Sequence, residues 1–136
     1  MYLDSNVFIY AAMDKSDAGS DARALLKLIR EGRVNAAVSP LVLDEVMWTV
    51  QKSAGRECAD RVVTGIMALP LSWLDAAYAC IRHARAYYLD GLDPRDAFHA
   101  GVMKDYSINE IVSEDSHFDR IKDIRRITIK VALKGR

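Results

Sequence analysis

Short apolar runs alternate with longer segments of helical periodicity along the chain. In 20–33 and 39–53, apolar residues recur every three or four positions, which is typical of helices that bury one face. Further helices are predicted at 5–13, 55–69, 76–91, 93–106 and 116–124. The short apolar runs predict strands at 1–3, 34–39, 70–75, 109–115 and 126–133.

This alternation predicts an α/β fold with a mostly parallel central sheet. The 136 residues have the length of one domain, so a single domain over 1–136 is expected. Two helices begin with a proline after a polar residue, and both polar residues, Ser39 and Asp93, are predicted helix caps. Ligands of such sheets bind beyond the carboxyl ends of the strands, so polar residues at those ends are the first candidates for chemistry.

The overall charge does not indicate which class of partner the protein binds. Nineteen basic residues balance nineteen acidic ones, and 51% of residues are hydrophobic, enough for a sizeable core. Residues 120–136 hold seven basic side chains against one acid, a net +6, so the preceding residues carry −6. A basic end is typical of a solvated surface and also of a segment that binds a polyanion.

The cysteines and the hydropathy favour a protein of the cytoplasm. Cys58 and Cys80 stand at no metal-binding spacing, which indicates free thiols in a reducing compartment. No apolar run approaches the ~18 residues of a membrane span, so no membrane partner is expected. The acid at position 4 and the lack of a basic segment before it make a secretory signal unexpected.

Four acids from distant segments are predicted to meet at one edge of the sheet. Asp4 follows the first strand, and Asp115 closes the strand at 109–115. Glu45 and Asp96 lie in the early turns of the two helices that begin with proline, and helix starts adjoin that edge when strands lead into them. The sequence therefore predicts a cluster of carboxylates.

Converging carboxylates repel one another, and the repulsion is relieved by protonation or by a hard cation. Mg²⁺ and Mn²⁺ prefer oxygen ligands and retain waters that can become nucleophiles. One or two such ions could neutralise a phosphodiester that acids alone would repel. The residues thus indicate metal-dependent hydrolysis of a phosphodiester.

Each acid also has a purely structural interpretation. Asp4 or Ser5 could cap the helix that follows, and Asp96 fits the charged first turn of a helix. Asp115 and Asp119 could form the acidic first turn of the helix predicted at 116–124. An unpaired acid at Glu45 would be costly beside an apolar helix face, which favours a functional role there.

The three histidines give a weaker signal than the acids. His83 and His99 lie on predicted helices with no partner at metal-binding spacing. His117 lies among the acids after the fourth predicted strand, where a solvent-exposed side chain without an assigned role is favoured.

Four segments, in this order, resemble the PIN-domain family. They are LDSN (3–6), SPLVLDEV (39–46), DPRDAFHAG (93–101) and IVSEDSHFDRI (111–121). Each alone is a weak signal, whereas four in the family's order, over nearly the whole chain, are a strong one. The resemblance implies a three-layer α/β/α sandwich with a mostly parallel central sheet, and Mg²⁺- or Mn²⁺-dependent endoribonuclease activity.

The resemblance also implies roles for individual residues. The implied catalytic residues are Asp4, Glu45, Asp96 and Asp115. Of these, Asp4, Asp96 and Asp115 are implied metal-site acids, and Glu45 would hold the metal directly or through water. Asp119 is implied as a fifth metal-site acid whose role varies. Ser5 and Asn6 would orient the site, and Ser5 keeps the hydroxyl of the threonine that often stands there in the family.

A short, stand-alone version of the domain is most similar to the VapC toxins of prokaryotic toxin–antitoxin pairs. That resemblance implies an RNA substrate, a separate antitoxin protein as partner, a homodimer and a cytoplasmic location. The apolar helix faces around Val42, Val46 and Val50, and those near Tyr10 and Leu25, are predicted to receive the partner.

Other functions compete with this prediction. A phosphatase that used Asp4 as its nucleophile would need a second acid two residues later, where Asn6 stands. A degenerate domain that only binds RNA or protein would lack one of the acids, and all four are present. A DNA nuclease and a housekeeping RNA-processing enzyme of the same fold are further alternatives.

Overall fold

Five short strands form the centre of the molecule. The computed structural model describes residues 1–135, and within them the strands are β1 (Tyr2–Leu3), β2 (Ala37–Val38), β3 (Ser72–Trp73), β4 (Glu110–Val112) and β5 (Arg125–Ile127). Their order across the sheet is β3-β2-β1-β4-β5, and each neighbouring pair is parallel. The strand order therefore reverses beside β1, which creates a switch point between β1 and β4.

Helices connect the strands and flank the sheet. Within residues 1–135 they are α1 (Ser5–Met13), α2 (Asp17–Arg30), α3 (Pro40–Ala54), α4 (Arg56–Met67), α5 (Cys80–Leu89), α6 (Pro94–Asp105) and α7 (Ile129–Lys134), with a 3₁₀ helix at Ser116–Arg120. The predicted α/β/α sandwich with a parallel sheet is confirmed. Across that same part of the chain, no helix has the length and apolar character needed to cross a membrane.

The apolar helix faces form the core. Val42, Val46 and Val50 on α3 are wholly buried, and so is Leu25 on α2. A partner cannot dock on these four side chains, because the protein's own core already covers them, so the predicted docking is wrong at these positions. Tyr10 on α1 is only partly buried, and docking near it stays a prediction.

Helices α5 and α6 approach each other closely at Gly101. A Cβ atom at this position of α6 would lie 2.7 Å from the carbonyl oxygen of Cys80 and 2.9 Å from the backbone nitrogen of Ala84, both on α5. Backbone atoms cannot move aside as a flexible side chain can, so this contact requires glycine. It fixes the position of α6, which carries Asp96 and His99.

The last predicted strand is wrong beyond residue 127. All three residues of β5 pair with the three residues of β4, so the regular pairing between the two strands ends at Ile127. The chain turns into α7 instead, where Thr128 caps the helix by accepting the N–H of Val131 at 3.3 Å. The β-branched residues of this segment favoured a strand, but the short partner strand and the cap decide for a helix.

Some predicted boundaries and caps also differ. Helix α2 begins at Asp17, before the predicted start at residue 20, because Ser16 caps it, and α5 begins at Cys80 and not at residue 76. Ser39 and Asp93 occupy the N-cap positions of α3 and α6, but neither side chain makes a capping hydrogen bond.

Candidate metal centre

An open cleft of about 670 Å³ lies at the carboxyl edge of the sheet. Its lining residues are Asp4, Ser5, Asn6, Glu45, Asp93, Pro94, Arg95, Asp96, Asp115 and His117. The four acids from distant segments therefore converge, one directly after β1, one from α3, one from α6 and one after β4. The cleft adjoins the β1–β4 switch point, where ligands of parallel sheets bind.

Asp4 lies deep in the cleft, only 6% exposed, with its carboxylate held on both oxygens. Oδ1 accepts the backbone N–H of Ser5 at 2.6 Å. Oδ2 accepts from Asn6 Nδ2 at 2.6 Å and from Ser113 Oγ at 2.5 Å. Burial raises the pKa of this carboxyl, and the hydrogen bond from Ser113 opposes the increase. Asp4 also occupies the N-cap position of α1, so the predicted structural role is confirmed, and the same carboxylate lines the cleft.

Ser113 links Asp4 to the segment after β4, and sequence analysis did not single it out. Its wholly buried hydroxyl donates to Asp4 and accepts the N–H of Asp115 at 2.9 Å and the amide of Asn6 at 3.0 Å. Asn6 Oδ1 in turn accepts the N–H of Glu114 at 3.4 Å. The feature that could have identified Ser113 as a site residue is its position directly after the last residue of β4.

Glu45 reaches the cleft from α3, also with both oxygens bound. Oε2 accepts from Ser5 Oγ at 2.6 Å, and Oε1 lies 3.0 Å from His99 Nε2. Burial by itself would raise the pKa of Glu45, but the hydrogen bond and charge of His99 and the hydrogen bond of Ser5 lower it. Ser5 and His99 thus favour an ionised Glu45 beside the apolar face of α3.

Asp96 and Asp115 supply more accessible carboxylates. Asp96 lies in the first turn of α6 with its side chain 19% exposed. Burial, followed by the negative charges of Asp115 and Asp4, raises the pKa of Asp96 to about 6. Asp115 Oδ1 accepts the N–H of His117 at 2.9 Å, so Asp115 also caps the 3₁₀ helix. The pKa of Asp96 is therefore raised mainly by burial, and the repulsion expected of converging acids adds to the increase.

His99 lies at the site, although its sequence context indicated no metal-site partner. Its side chain is 1% exposed, with one ring nitrogen on Glu45 and the other on Tyr2. Burial alone would lower the pKa of His99, but the hydrogen bond and charge of Glu45 outweigh burial and raise it. The spacing in the sequence could have identified His99 as a site residue. It follows Asp96 by three residues, which places both on the same face of one helix.

His117 contacts two of the acids. Its Nδ1 atom lies 3.2 Å from Asp115 Oδ1 and 3.7 Å from Asp96 Oδ2. The side chain is 44% exposed, which agrees with the predicted exposure, but its contacts give it a place in the cleft that the sequence did not reveal. Asp93, which the sequence marked only as a cap, has a carboxylate oxygen within 4.8 Å of ligand atoms on Asp96 and His117.

The structure does not bring Asp119 to the cleft with the other acids. Its two carboxylate oxygens accept from Arg126 Nε at 2.8 Å and Nη2 at 2.9 Å, and this pairing lowers the pKa of Asp119. Arg126 also donates to the carbonyl oxygen of Ser113 at 2.9 Å. The Asp119–Arg126 pair therefore braces the segment that follows β4.

The donors in the cleft suit a hard cation. Within residues 1–135, one group of ligand atoms within 4.8 Å of one another comes from Asp4, Glu45 and His99, and a second comes from Asp93, Asp96 and His117. Carboxylate oxygens around an open cleft are the ligands that Mg²⁺ and Mn²⁺ prefer. Burial first, and then the charges of Asp115 and Asp4, raise the pKa of Asp96, so ionised Asp96 is disfavoured unless a countercharge is present.

The chain is similar to known proteins along most of its length. The family model described as PIN domain matches residues 1–124. Ribonuclease VapC13 of Mycobacterium tuberculosis is 27% identical over 127 residues, which are 92% of this chain and 97% of that protein. A VapC ribonuclease of Mycobacterium bovis gives the same values.

Solved structures agree with this similarity at the level of the fold. The DNA-bound VapBC of Salmonella typhimurium has a TM-score of 0.72 at 24% identity, over 94% of this chain and 96% of that chain. Mycobacterium tuberculosis VapC20, described as a sarcin-ricin loop cleaving toxin, has a TM-score of 0.73 at 13% identity, over 89% of this chain and 94% of that chain.

Proposed function

The chain belongs to the PIN domain family, and on that basis we propose that it is a metal-dependent endoribonuclease and the toxin of a type II toxin–antitoxin pair. The observation that carries the nuclease proposal is the convergence of the four acids Asp4, Glu45, Asp96 and Asp115 on one cleft. The relatives named as VapC ribonucleases support RNA as the substrate.

These four acids are the residues that would hold Mg²⁺ or Mn²⁺. A bound ion of this kind supplies Lewis acidity and an acidified water that can attack a phosphodiester. Asp4 and Glu45 are each held on both oxygens by neighbouring groups, which fixes them in advance of binding. Ser5 and Asn6 make several of those hydrogen bonds, which supports their proposed orienting role.

RNA cleavage with and without a divalent cation tests this proposal. The substrates are single-stranded RNA, a sarcin-ricin loop RNA hairpin, and single- and double-stranded DNA of matched sequence. We expect cleavage of RNA with Mg²⁺ or Mn²⁺ and none in EDTA. Equal cleavage in excess EDTA would contradict the metal-dependent mechanism, and equal cleavage of DNA would favour the DNA nuclease. A covalent acyl-phosphate on Asp4 would favour the phosphatase.

The proposed antitoxin surface is a groove between α1, α2 and α4. It has a volume of about 410 Å³, and its lining includes the apolar side chains Phe8, Leu26, Val62, Ile66 and Leu69 and the cations Arg23, Lys27, Arg30 and Arg61. An apolar floor with basic neighbours suits an amphipathic segment that carries acids. We place both proteins in the cytoplasm, where RNA is available and where the free thiols of Cys58 and Cys80 are stable.

Growth of a bacterial host tests the toxin proposal. Induced wild-type protein should arrest growth, Asp4→Asn should not, and co-expression of a small protein encoded beside this chain should restore growth. Leu26→Asp should keep RNA cleavage and lose that rescue, because it changes the groove and not the cleft. Normal growth with abundant, active wild-type protein would instead favour a housekeeping RNA-processing enzyme.

A homodimer is proposed on the apolar surface of α5 and α6. Ile81, Tyr88 and Phe98 are 44%, 55% and 38% exposed, and they border one shallow depression with Pro94. An exposed apolar patch of this kind is typical of a protein interface. Because Pro94 also lines the cleft, pairing of two copies here would extend the surface available to RNA.

A further inference from the structure

A buried series of polar side chains lies behind Glu45. His99 Nδ1 is 2.9 Å from the hydroxyl of Tyr2, and that hydroxyl is 2.6 Å from Ser39 Oγ. On the other side of the ring, His99 Nε2 is 3.0 Å from Glu45 Oε1. Tyr2 and Ser39 are wholly buried, and His99 is 1% exposed. Three distant segments of the chain thus supply the hydrogen bonds behind one cleft acid.

We propose that Ser39, Tyr2 and His99 form a positioning relay that fixes the carboxylate of Glu45, a role that rests on the proposed metal-dependent nuclease activity. In this relay His99 is a positioning residue and not a metal ligand. Its effect reaches the metal through Glu45.

The hydrogen-bonding capacity of the groups supports this assignment. An ionised carboxylate only accepts hydrogen bonds, so His99 Nε2 must donate its N–H to Glu45. The Nδ1 atom is engaged by Tyr2. Both ring nitrogens of His99 are therefore occupied, so a cation near Asp4 and Glu45 would find carboxylate oxygens and no free nitrogen on His99.

A tyrosine hydroxyl is well suited to the middle of the relay. It can donate to Nδ1 when the imidazole is neutral and accept from it when the imidazole is charged, so the contact persists in both states. The rings of Tyr2 and His99 also pack against each other, with centroids 5.7 Å apart and planes inclined by 54°. This packing, with Ser39 behind the hydroxyl, sets the orientation of the imidazole.

The location of Tyr2 connects the relay to the deepest acid of the cleft. Side chains alternate along a strand, so Tyr2 and Asp4, two residues apart at β1, project to the same side. Ser39 directly follows β2, the strand beside β1. The central strands thus carry both the proposed ligand Asp4 and the support for Glu45.

The expected consequence is a loss of order at Glu45 when the relay is broken. Ser5 holds Oε2 and His99 holds Oε1, and removal of one contact lets the carboxylate rotate. Residues that hold metal ligands from behind typically contribute about 10- to 100-fold to affinity or activity.

Tyr2→Phe is the first test, because it removes one hydroxyl and keeps the buried ring. We expect Mn²⁺ affinity, measured by calorimetry, to fall about tenfold, and kcat for RNA to fall similarly with KM within about twofold. The matched control is Tyr87→Phe, which removes a hydroxyl that donates to Asp123 at 2.8 Å away from the cleft. This control should keep the Mn²⁺ affinity and kcat of the wild-type protein.

Further variants keep the proposal testable if Tyr2→Phe folds poorly. Ser39→Ala should weaken Mn²⁺ binding in the same direction. His99→Gln, which retains an N–H donor toward Glu45, should bind Mn²⁺ more tightly than His99→Leu. Wild-type Mn²⁺ affinity and kcat in folded Tyr2→Phe and Ser39→Ala would overturn the relay.

A spectroscopic measurement separates failure of the relay from failure of the proposed function. In metal-free wild-type protein, the ¹⁵N resonances of the His99 ring should show a proton on Nε2, and Tyr2→Phe should shift the Nδ1 resonance. An Nε2 atom without a proton would overturn the relay whether or not the protein cleaves RNA. Wild-type protein that neither binds Mn²⁺ nor cleaves RNA, but gives the expected spectrum, would overturn the proposed function and leave the relay as a structural element.

Discussion

Replacement of Asp96 by asparagine should stabilise the metal-free protein, since it removes a charge that the cleft disfavours. The pKa of Asp96 is raised from 3.8 to about 6 by burial and by the charges of Asp115 and Asp4. At about 1.4 kcal/mol per pKa unit, that difference corresponds to at most about 3 kcal/mol. Because the side chain remains 19% exposed, solvent screens part of the repulsion, and we expect a gain of about 1–2 kcal/mol.

The pH dependence of this gain in stability follows from the direction in which the pKa of Asp96 is shifted. The folded state binds the proton of Asp96 more tightly than the unfolded state, so ionisation costs folding free energy as the pH rises from about 4 to about 6. Urea unfolding in EDTA should therefore show a small advantage of Asp96→Asn at pH 4.5 and the full advantage at pH 7 and above. Asp75→Asn, on an exposed segment, is the control and should show no such trend.

Excess Mg²⁺ should reverse the order of stability. A ligand that binds only the folded state stabilises it according to its concentration relative to its Kd. The wild-type protein should gain more from Mg²⁺ than Asp96→Asn, which lacks one proposed ligand. If Asp96→Asn were less stable than wild type in EDTA at pH 8, or if its advantage did not change with pH, the unfavourable ionisation of Asp96 in the cleft would be refuted.

Three further predictions concern other parts of the molecule. Asp119→Asn should lower the single-turnover rate of RNA cleavage far less than Asp115→Asn, because Asp119 pairs with Arg126 outside the cleft. Equal losses of rate would show that Asp119 takes part in the cleavage reaction. Gly101→Ala should lower the free energy of unfolding by about 1–3 kcal/mol in urea titrations, because the added Cβ clashes with α5. The control is Gly65→Ala, which should be neutral or stabilising because a Cβ there meets nothing within 4 Å. Light scattering at micromolar concentration should give the mass of a dimer for wild type and of a monomer for Phe98→Asp, and a wild-type monomer would contradict the proposed interface.

Apart from α7, the sequence was sufficient to predict the order of elements, and it also predicted the convergence of the acids. Alternating periodicities predicted a parallel α/β sheet, and in such a sheet strand ends share one edge, so Asp4 and Asp115 had to approach each other. The proline-led helices brought Glu45 and Asp96 to the same edge.

The hydrogen bonds behind the acids could not be predicted in the same way. Tyr2 and His99 are 97 residues apart, and no spacing rule connects a residue of the first strand to a buried histidine on α6. Asp119 lies outside the cleft because it pairs with Arg126, which belongs to the edge strand β5. Such pairings depend on tertiary packing, which overrides local patterns.

RNA cleavage by wild-type protein and Asp4→Asn over a Mn²⁺ titration is the most direct test of a single metal-dependent site. Asp4 is the most buried of the four acids and accepts hydrogen bonds from three neighbouring residues, so its carboxylate is the least replaceable. We predict that wild-type cleavage rises with Mn²⁺ and saturates, and that folded Asp4→Asn is at least about 100-fold slower at every concentration. Loss of a ligand should cost no less than the loss of a residue that only supports a ligand, which reaches about 100-fold. Wild-type rates in Asp4→Asn, or wild-type cleavage that does not depend on Mn²⁺, would contradict the proposed site.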